Sequence, residues 1–260
     1  MSDIHGRILW YELMTTDRDA AAVFYSEIVG WKTQAMTEIP GMDYTVWLNS
    51  KGEGIGGLMD LPEPARQMGA PPHWLAYIGV DDVDATVAQA TELGAKIYAP
   101  PFDVETVGRI AIIADPQGAV FGVYRPASGQ APAKSPPVFG DVSWHELTTA
   151  DAEAALTFYG ELFGWRPTDA MEMGPGMTYQ MFGREGDEGS IGGMMNLPPN
   201  APMPPNWMMY FYVEGAADDA AERVKAGGGR ILNGPMEIPG GDHAFQAMDV
   251  QGAAFAIHAK

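Results

Sequence analysis

The sequence predicts an α+β protein made of two tandem copies of one domain, each copy a pair of strand–helix–strand–strand–strand units. Three observations carry this. Trp10-Tyr11-Glu12-Leu13 recurs as Trp144-His145-Glu146-Leu147, and Trp10, Asp17, Phe24, Tyr25, Gly30 and Trp31 return 134 residues later as Trp144, Asp151, Phe158, Tyr159, Gly164 and Trp165. Within each copy the hydrophobic pattern passes from strand period to helix period and back, twice. Residues 127–137, rich in Pro, Ala, Ser and Gly, read as an exposed linker between domains at 1–126 and 138–260.

The elements follow in order. Residues 7–14, with Ile8, Leu9, Trp10 and Tyr11, suit a strand. Thr15-Thr16-Asp17 offers an N-cap, and the run from Thr16 to Asp19 approximates a capping box. Residues 18–29 predict a helix with Ala21, Phe24, Tyr25 and Ile28 on one face, ended by Gly30. Strands are expected near 31–38, 43–49 and 54–60, with turns at Gly41 and Gly52–Gly57. LPEPARQMGAPP, residues 61–72, breaks the pattern, which restarts with a strand at Trp74–Val80. Asp81 or Asp82 caps a helix through DATVAQATEL, and Gly94 stops it. Strands near 95–99, 108–114 and 119–125 close the first copy, the last preceded by a type I turn signature, Asp115-Pro116-Gln117-Gly118. The second copy repeats these signals: Gly176-Met177-x-Tyr179 echoes Gly41-Met42-x-Tyr44, Ile191-Gly-Gly echoes Ile55-Gly-Gly, and Asp249-Val-Gln-Gly252 echoes the turn.

Composition narrows the function classes. The net charge of −19 argues against nucleic acid or anionic membrane as partner, because phosphate binding needs clustered Lys and Arg. With no cysteine, disulfides and thiolate chemistry are excluded. No apolar stretch approaches a membrane span and no basic, then apolar, leader is visible, so a soluble cytoplasmic protein is expected. Gly227-Gly228-Gly229 follows a helix and precedes a strand, the wrong context for a phosphate loop.

The four units, the Phe-Tyr-x4-Gly-Trp helix end and the Asp-Pro-Gln-Gly turn resemble the vicinal oxygen chelate superfamily, which includes glyoxalase I, fosfomycin and bleomycin resistance proteins and extradiol dioxygenases. The resemblance covers nearly the whole chain and is closest to a two-domain glyoxalase-like or hydroxylase-labelled branch with Trp-x-(Asp/Glu)-Leu at both starts. It implies two glyoxalase-type domains, each a U-shaped mixed sheet around a cleft, with metal donors on the first and last strand of each unit. Checked one at a time, those donor positions fall on Trp10 and Trp144, on the stretches Ile55–Leu58 and Ile191–Met194, on Leu75 and Met208, and on Gly122 and Ala256. None supplies imidazole or carboxylate, so no metal and no other cofactor is expected.

Strand alternation then suggests what lines each cleft. Glu12 shares a face with Trp10, and Glu146 with Trp144; Tyr77, Tyr124, Tyr210, Tyr212 and His258 share faces with the other substituted positions. Gly and Ala at those positions are expected to leave room for a ligand. Glu12 and Glu146, partly desolvated beside aromatic rings, are candidate general bases, with His258 either a partner for Glu146 or an exposed C-terminal histidine; alternatively each Glu ties the sheet through a Tyr or Trp hydrogen bond. Trp10 and Trp144 are expected either to be core or wall or to offer a ligand-stacking surface. Tyr44 and Tyr179 are candidate binding residues whose facing stays open. Arg109, and His243 in its duplicated place, could hold an anionic group, or Arg109 could brace a turn. His145 is expected to point away from the cleft, and His73 matches Asn206.

Three functions fit: binding or sequestration of a small apolar or aromatic molecule without metal; a metal-independent isomerase, lyase or hydroxylase type of enzyme using Glu146 or Glu12 as base; or a metal enzyme with shifted ligands such as Glu12, Glu146 and His258. The expected partner is a small molecule, and the protein a monomer or homodimer.

Overall fold

A computed structural model describes residues 2–37, 43–133, 135–174, 176–198, 201 and 203–260. The expected turn at Gly41 lies outside the described residues. The elements of the first copy are β1 (Ile8–Thr15), α1 (Arg18–Val29), β2 (Lys32–Met36), β3 (Tyr44–Leu48), β4 (Gly54–Asp60), α2 (Glu63–Gln67), β5 (His73–Gly79), α3 (Val83–Glu92), β6 (Lys96–Val104), β7 (Gly108–Ala114) and β8 (Val120–Pro126). The second copy follows with β9 (Val142–Thr149), α4 (Ala152–Phe163), β10 (Trp165–Gly174), β11 (Met177–Arg184), β12 (Gly192–Asn196), β13 (Asn206–Val213), α5 (Ala217–Ala226), β14 (Arg230–Glu237), β15 (His243–Met248) and β16 (Ala254–Ala259).

Each copy forms one eight-stranded mixed sheet, in the orders β2-β3-β4-β1-β5-β8-β7-β6 and β10-β11-β12-β9-β13-β16-β15-β14. The first and fourth strands of every unit pair in parallel, β1 with β4, β5 with β8, β9 with β12 and β13 with β16. The remaining hairpins are antiparallel, so the fold is α+β as the sequence predicts.

Local chemistry accounts for the element ends, with two corrections. The cap of α1 is Asp17 alone, its carboxylate accepting from the Ala20 N–H at 3.0 Å, rather than a box begun by Thr16. Asp151 caps α4 and Asp82 caps α3 the same way. Gly30 and Gly164 end α1 and α4 at φ 84° and 68°, a region open to glycine at little cost. The second correction is α2, which sits inside the stretch read as a break; Pro64 enters its first turn, where the missing N–H costs nothing. No helix among the described residues is long and apolar enough to cross a membrane.

By packing, the chain separates into two units, and each draws on both copies. One comprises Trp10–Leu75, Ser135–Ser143 and Met208–Lys260; the other Met1–Leu9, Ala76–Lys134 and Trp144–Trp207. The first unit is centred on Tyr25, Trp31, Trp47, Trp74, Phe211 and Phe255, with Trp31 ring centroids 5.0 Å from Trp47 and 4.7 Å from Phe211. The second has an equivalent centre, where Trp165 stacks on Phe182 at 4.6 Å and on Tyr159 at 5.4 Å. Such pairs add to the large area each ring removes from water.

Polar contacts inside these centres join motifs that the sequence presents separately. The Tyr25 hydroxyl donates to Asp249 Oδ2 at 3.1 Å and accepts from Trp74 Nε1 at 2.9 Å. In the other unit Tyr159 donates to Asp115 Oδ2 at 3.1 Å and accepts from Trp207 Nε1 at 3.0 Å. The helix tyrosine of each copy therefore meets the turn aspartate of the other copy. Gln117 completes one connection, donating to the Asp151 carbonyl at 2.8 Å and accepting from the Asp151 N–H. Burial pushes both aspartates up from the usual carboxylate range, with backbone N–H donors opposing it, and burial pushes both tyrosines well above theirs.

Candidate ligand-binding sites

The duplicated motif builds the same arrangement twice. Trp10 and Glu12 leave one face of β1, and the phenol of Tyr44 on β3 lies between them. Trp10 Nε1 donates to the Tyr44 hydroxyl at 2.8 Å, and that hydroxyl donates to Glu12 Oε1 at 2.8 Å. In the second copy Trp144 Nε1 donates to Tyr179 at 2.7 Å, and Tyr179 hydrogen-bonds Glu146. Glu12 and Glu146 are buried, 7% and 6% exposed as residues, while Trp10 and Trp144 are half-buried. Each buried carboxylate thus sits behind a phenol, which sits behind a partly exposed aromatic ring. Burial first, and the Glu146 charge second, push the Tyr179 phenol up, so it holds its proton and donates it.

The glycines beside these residues do not open a void, which corrects one expectation. A Cβ built on Gly57 would overlap the Tyr44 ring, and one on Gly193 would overlap Tyr179. On β8, a Cβ at Gly122 would overlap Tyr77. The glycines make room for tyrosines of neighbouring strands, so the site surface is phenol and indole. Ala256, which carries a Cβ and is fully buried, cannot admit a ring as Gly122 does; Tyr210 opposite it has its hydroxyl 3.2 Å from the Gln246 amide donor. Gly57→Ala and Gly193→Ala are expected to displace Tyr44 and Tyr179 and to cost about 1–3 kcal/mol each, as overpacking does. Urea unfolding measures the loss, and unchanged stability in both would contradict the contact.

The other candidates are placed as follows. The Tyr124 hydroxyl donates to the Val107 carbonyl at 3.1 Å, and its ring lies 6.4 Å from that of Tyr77. Arg109 is held by two carboxylates, Asp84 at 2.6 Å and Asp103 at 3.0 Å, the bracing alternative. His243 opens β15. Tyr212 lies between Phe139, 4.9 Å away, and His258, 5.0 Å away. His258 is bonded to Ser143 and Asp242, neither of which sequence reasoning singled out. His145 is buried, its Nδ1 2.7 Å from the Ile191 carbonyl, and burial pushes its pKa down to about 4. His73 and Asn206 match in contact as in sequence, each meeting the carbonyl of the proline two residues earlier.

The positions that would carry metal donors by resemblance hold side chains that do not suit a divalent cation. The eight positions that would carry donors by resemblance lack imidazole and carboxylate, and among the described residues no three His, Asp or Glu side chains gather into a metal-holding group.

Comparison with known proteins agrees with this architecture. A family model described as the Glyoxalase/Bleomycin resistance protein/Dioxygenase superfamily matches residues 7–123 and 142–257. CFP32 of Mycobacterium bovis, whose name carries the word glyoxylase, is 34% identical over 95% of this chain and 92% of its own length. The anthracycline biosynthesis protein DnrV of Streptomyces peucetius is 29% identical over 97% of this chain and 92% of its own. Among solved structures, the Mn(II)-bound glyoxalase from Novosphingobium aromaticivorans aligns with a TM-score of 0.64 at 17% identity, covering 98% of this chain and 82% of that one. A substrate complex of homoprotocatechuate 2,3-dioxygenase from Brevibacterium fuscum aligns at 0.66 and 17% identity, covering 98% and 80%. At those identities the structures speak to the fold alone.

Proposed function

We propose that this chain, which belongs to the glyoxalase/bleomycin resistance protein/dioxygenase superfamily, binds a small aromatic or largely apolar molecule at its two Trp–Tyr–Glu sites without a metal ion. The observation that carries the proposal is the duplicated set itself: a half-buried indole whose N–H is already engaged, backed by a phenol and a buried carboxylate. An indole fixed in this way offers a flat face for stacking, and the carboxylate behind it favours a ligand with a hydrogen-bond donor or positive charge. DnrV, named for the biosynthesis of an aromatic compound class, supports the choice of ligand. The domain boundaries at 126 and 138 belong to the same proposal, one site falling to each copy.

The second reading makes Glu12 or Glu146 a general base in a metal-independent reaction. It is favoured by the burial of both carboxylates beside aromatic side chains. Glu12→Gln and Glu146→Gln separate the two. A binding protein keeps its ligand with affinity changed by about tenfold or less, the scale of one hydrogen bond. An enzyme loses turnover by about 100-fold or more with binding retained. Loss of all ligand binding on replacing residues remote from both sites, with none on replacing the glutamates or tryptophans, would overturn both.

A further inference from the structure

Ser143, His258 and Asp242 form a hydrogen-bonded chain that ligand binding leaves unused. Ser143 lies at the start of β9, His258 near the end of β16, and Asp242 directly before β15. Ser143 Oγ is 2.9 Å from His258 Nδ1, and Asp242 Oδ2 is 3.0 Å from His258 Nε2. A further acceptor, the Tyr210 carbonyl, lies 3.3 Å from Ser143 Oγ.

The proton positions follow from what each group can do. A carboxylate only accepts, so Nε2 carries its hydrogen toward Asp242. In the neutral ring Nδ1 is then the acceptor, and Ser143 donates to it. When the ring gains a proton, Nδ1–H donates to Ser143 Oγ and the hydroxyl turns to the Tyr210 carbonyl. Both protonation states are fully bonded, which is what a base needs if it is to take the serine's proton and return it. The order of the two ring nitrogens is opposite to that of the familiar serine hydrolases, yet the division of roles is the same. His258 and Asp242 side chains are 20% and 36% exposed, within reach of a substrate and of water.

We propose that Ser143 is an activated nucleophile, with His258 as its base and Asp242 as the positioning residue, and that it accepts acyl groups from small activated esters. Ser143 Oγ bonds to the ester carbonyl carbon as its proton passes to His258 Nδ1. The carbon–oxygen bond to the leaving alcohol breaks, and that alcohol departs with the proton. Water then attacks the acyl-serine, gives its proton to the same nitrogen, and releases the acid and free Ser143. The Tyr212 and Phe139 rings beside His258 suit an aryl or short alkyl ester.

The whole protein is incubated with p-nitrophenyl acetate and, separately, with a fluorophosphonate, then examined by intact mass and peptide mapping. The expected result is one adduct per chain on Ser143, absent from Ser143→Ala and from urea-unfolded protein. His258→Gln is expected to slow its formation by about 100-fold, as loss of a general base does. Ser143→Ala should keep its unfolding midpoint and its ligand binding, because neither rests on this hydroxyl. Labelling that persists in Ser143→Ala, or wild-type labelling no faster than that of unfolded protein, overturns the proposal, even if His258→Gln fails to fold.

Discussion

Trp165→Ala lowers the unfolding free energy by about 3–5 kcal/mol, the range for deleting a fully packed large side chain. Trp165 is 4% exposed and packs against Tyr159, Phe182 and Trp207. Its Nε1 donates to the Gly6 carbonyl at 2.8 Å, so removal leaves both a cavity and a buried acceptor without that donor. Trp31→Ala should match it, since Trp31 donates to the Gly140 carbonyl at 2.7 Å within an equivalent cluster. Trp10→Ala and Trp144→Ala, at half-buried indoles, should cost only about 1 kcal/mol. Urea unfolding of the four variants provides the comparison. Equal losses in all four would show that the half-buried indoles are core and not binding surface.

Acidification is the second large effect. Burial holds His145 at about 4 against an ordinary 6.5, so the folded protein takes up its proton later than the unfolded chain does. The unfolded state binds more protons between those values, and stability falls as pH falls. His145 contributes fully above pH 6.5, and its contribution is gone once pH drops through about 4. A gap of about 2.5 pH units corresponds to about 3 kcal/mol. Asp115 and Asp249 act with the opposite sign: their raised folded values favour the folded state in acid and lose that advantage as pH rises. His145→Asn keeps an amide donor at the Nδ1 position that meets the Ile191 carbonyl but has nothing to titrate. Chemical unfolding at pH 7 and pH 4 should therefore show wild type losing about 3 kcal/mol more than His145→Asn, the aspartate terms cancelling in the difference. Parallel losses in the two proteins would remove His145 from the account.

The sequence discloses the fold because its signals are local and repeated. Asp17 and Asp151 cap, Gly30 and Gly164 stop, and alternation marks strands, each without reference to distant residues. The crossed partnership of Tyr25 with Asp249 and Tyr159 with Asp115 has no local signature. Its one trace in the sequence is that the Phe-Tyr helix and the Asp-x-Gln-Gly turn are duplicated together. At the candidate sites, alternation placed each Trp and Glu on one face, but whether Tyr44 and Tyr179 reach them depends on strand pairing and on glycines that clear the way. Ser143 and Asp242 carry no repeat signal, because their counterparts are Leu9 and Gly108, and that of His258 is Tyr124.

Binding at the duplicated Trp–Tyr–Glu sites is tested most directly by titrating metal-stripped protein with planar aromatic ligands, an anthracyclinone among them, and following tryptophan fluorescence and heat together. Saturable quenching is predicted, with at most two equivalents bound. The signal should fall in Trp10→Phe and Trp144→Phe and vanish in the double variant, with chelator making no difference. Binding that needs added metal, or that survives unchanged in the double variant, would contradict the account.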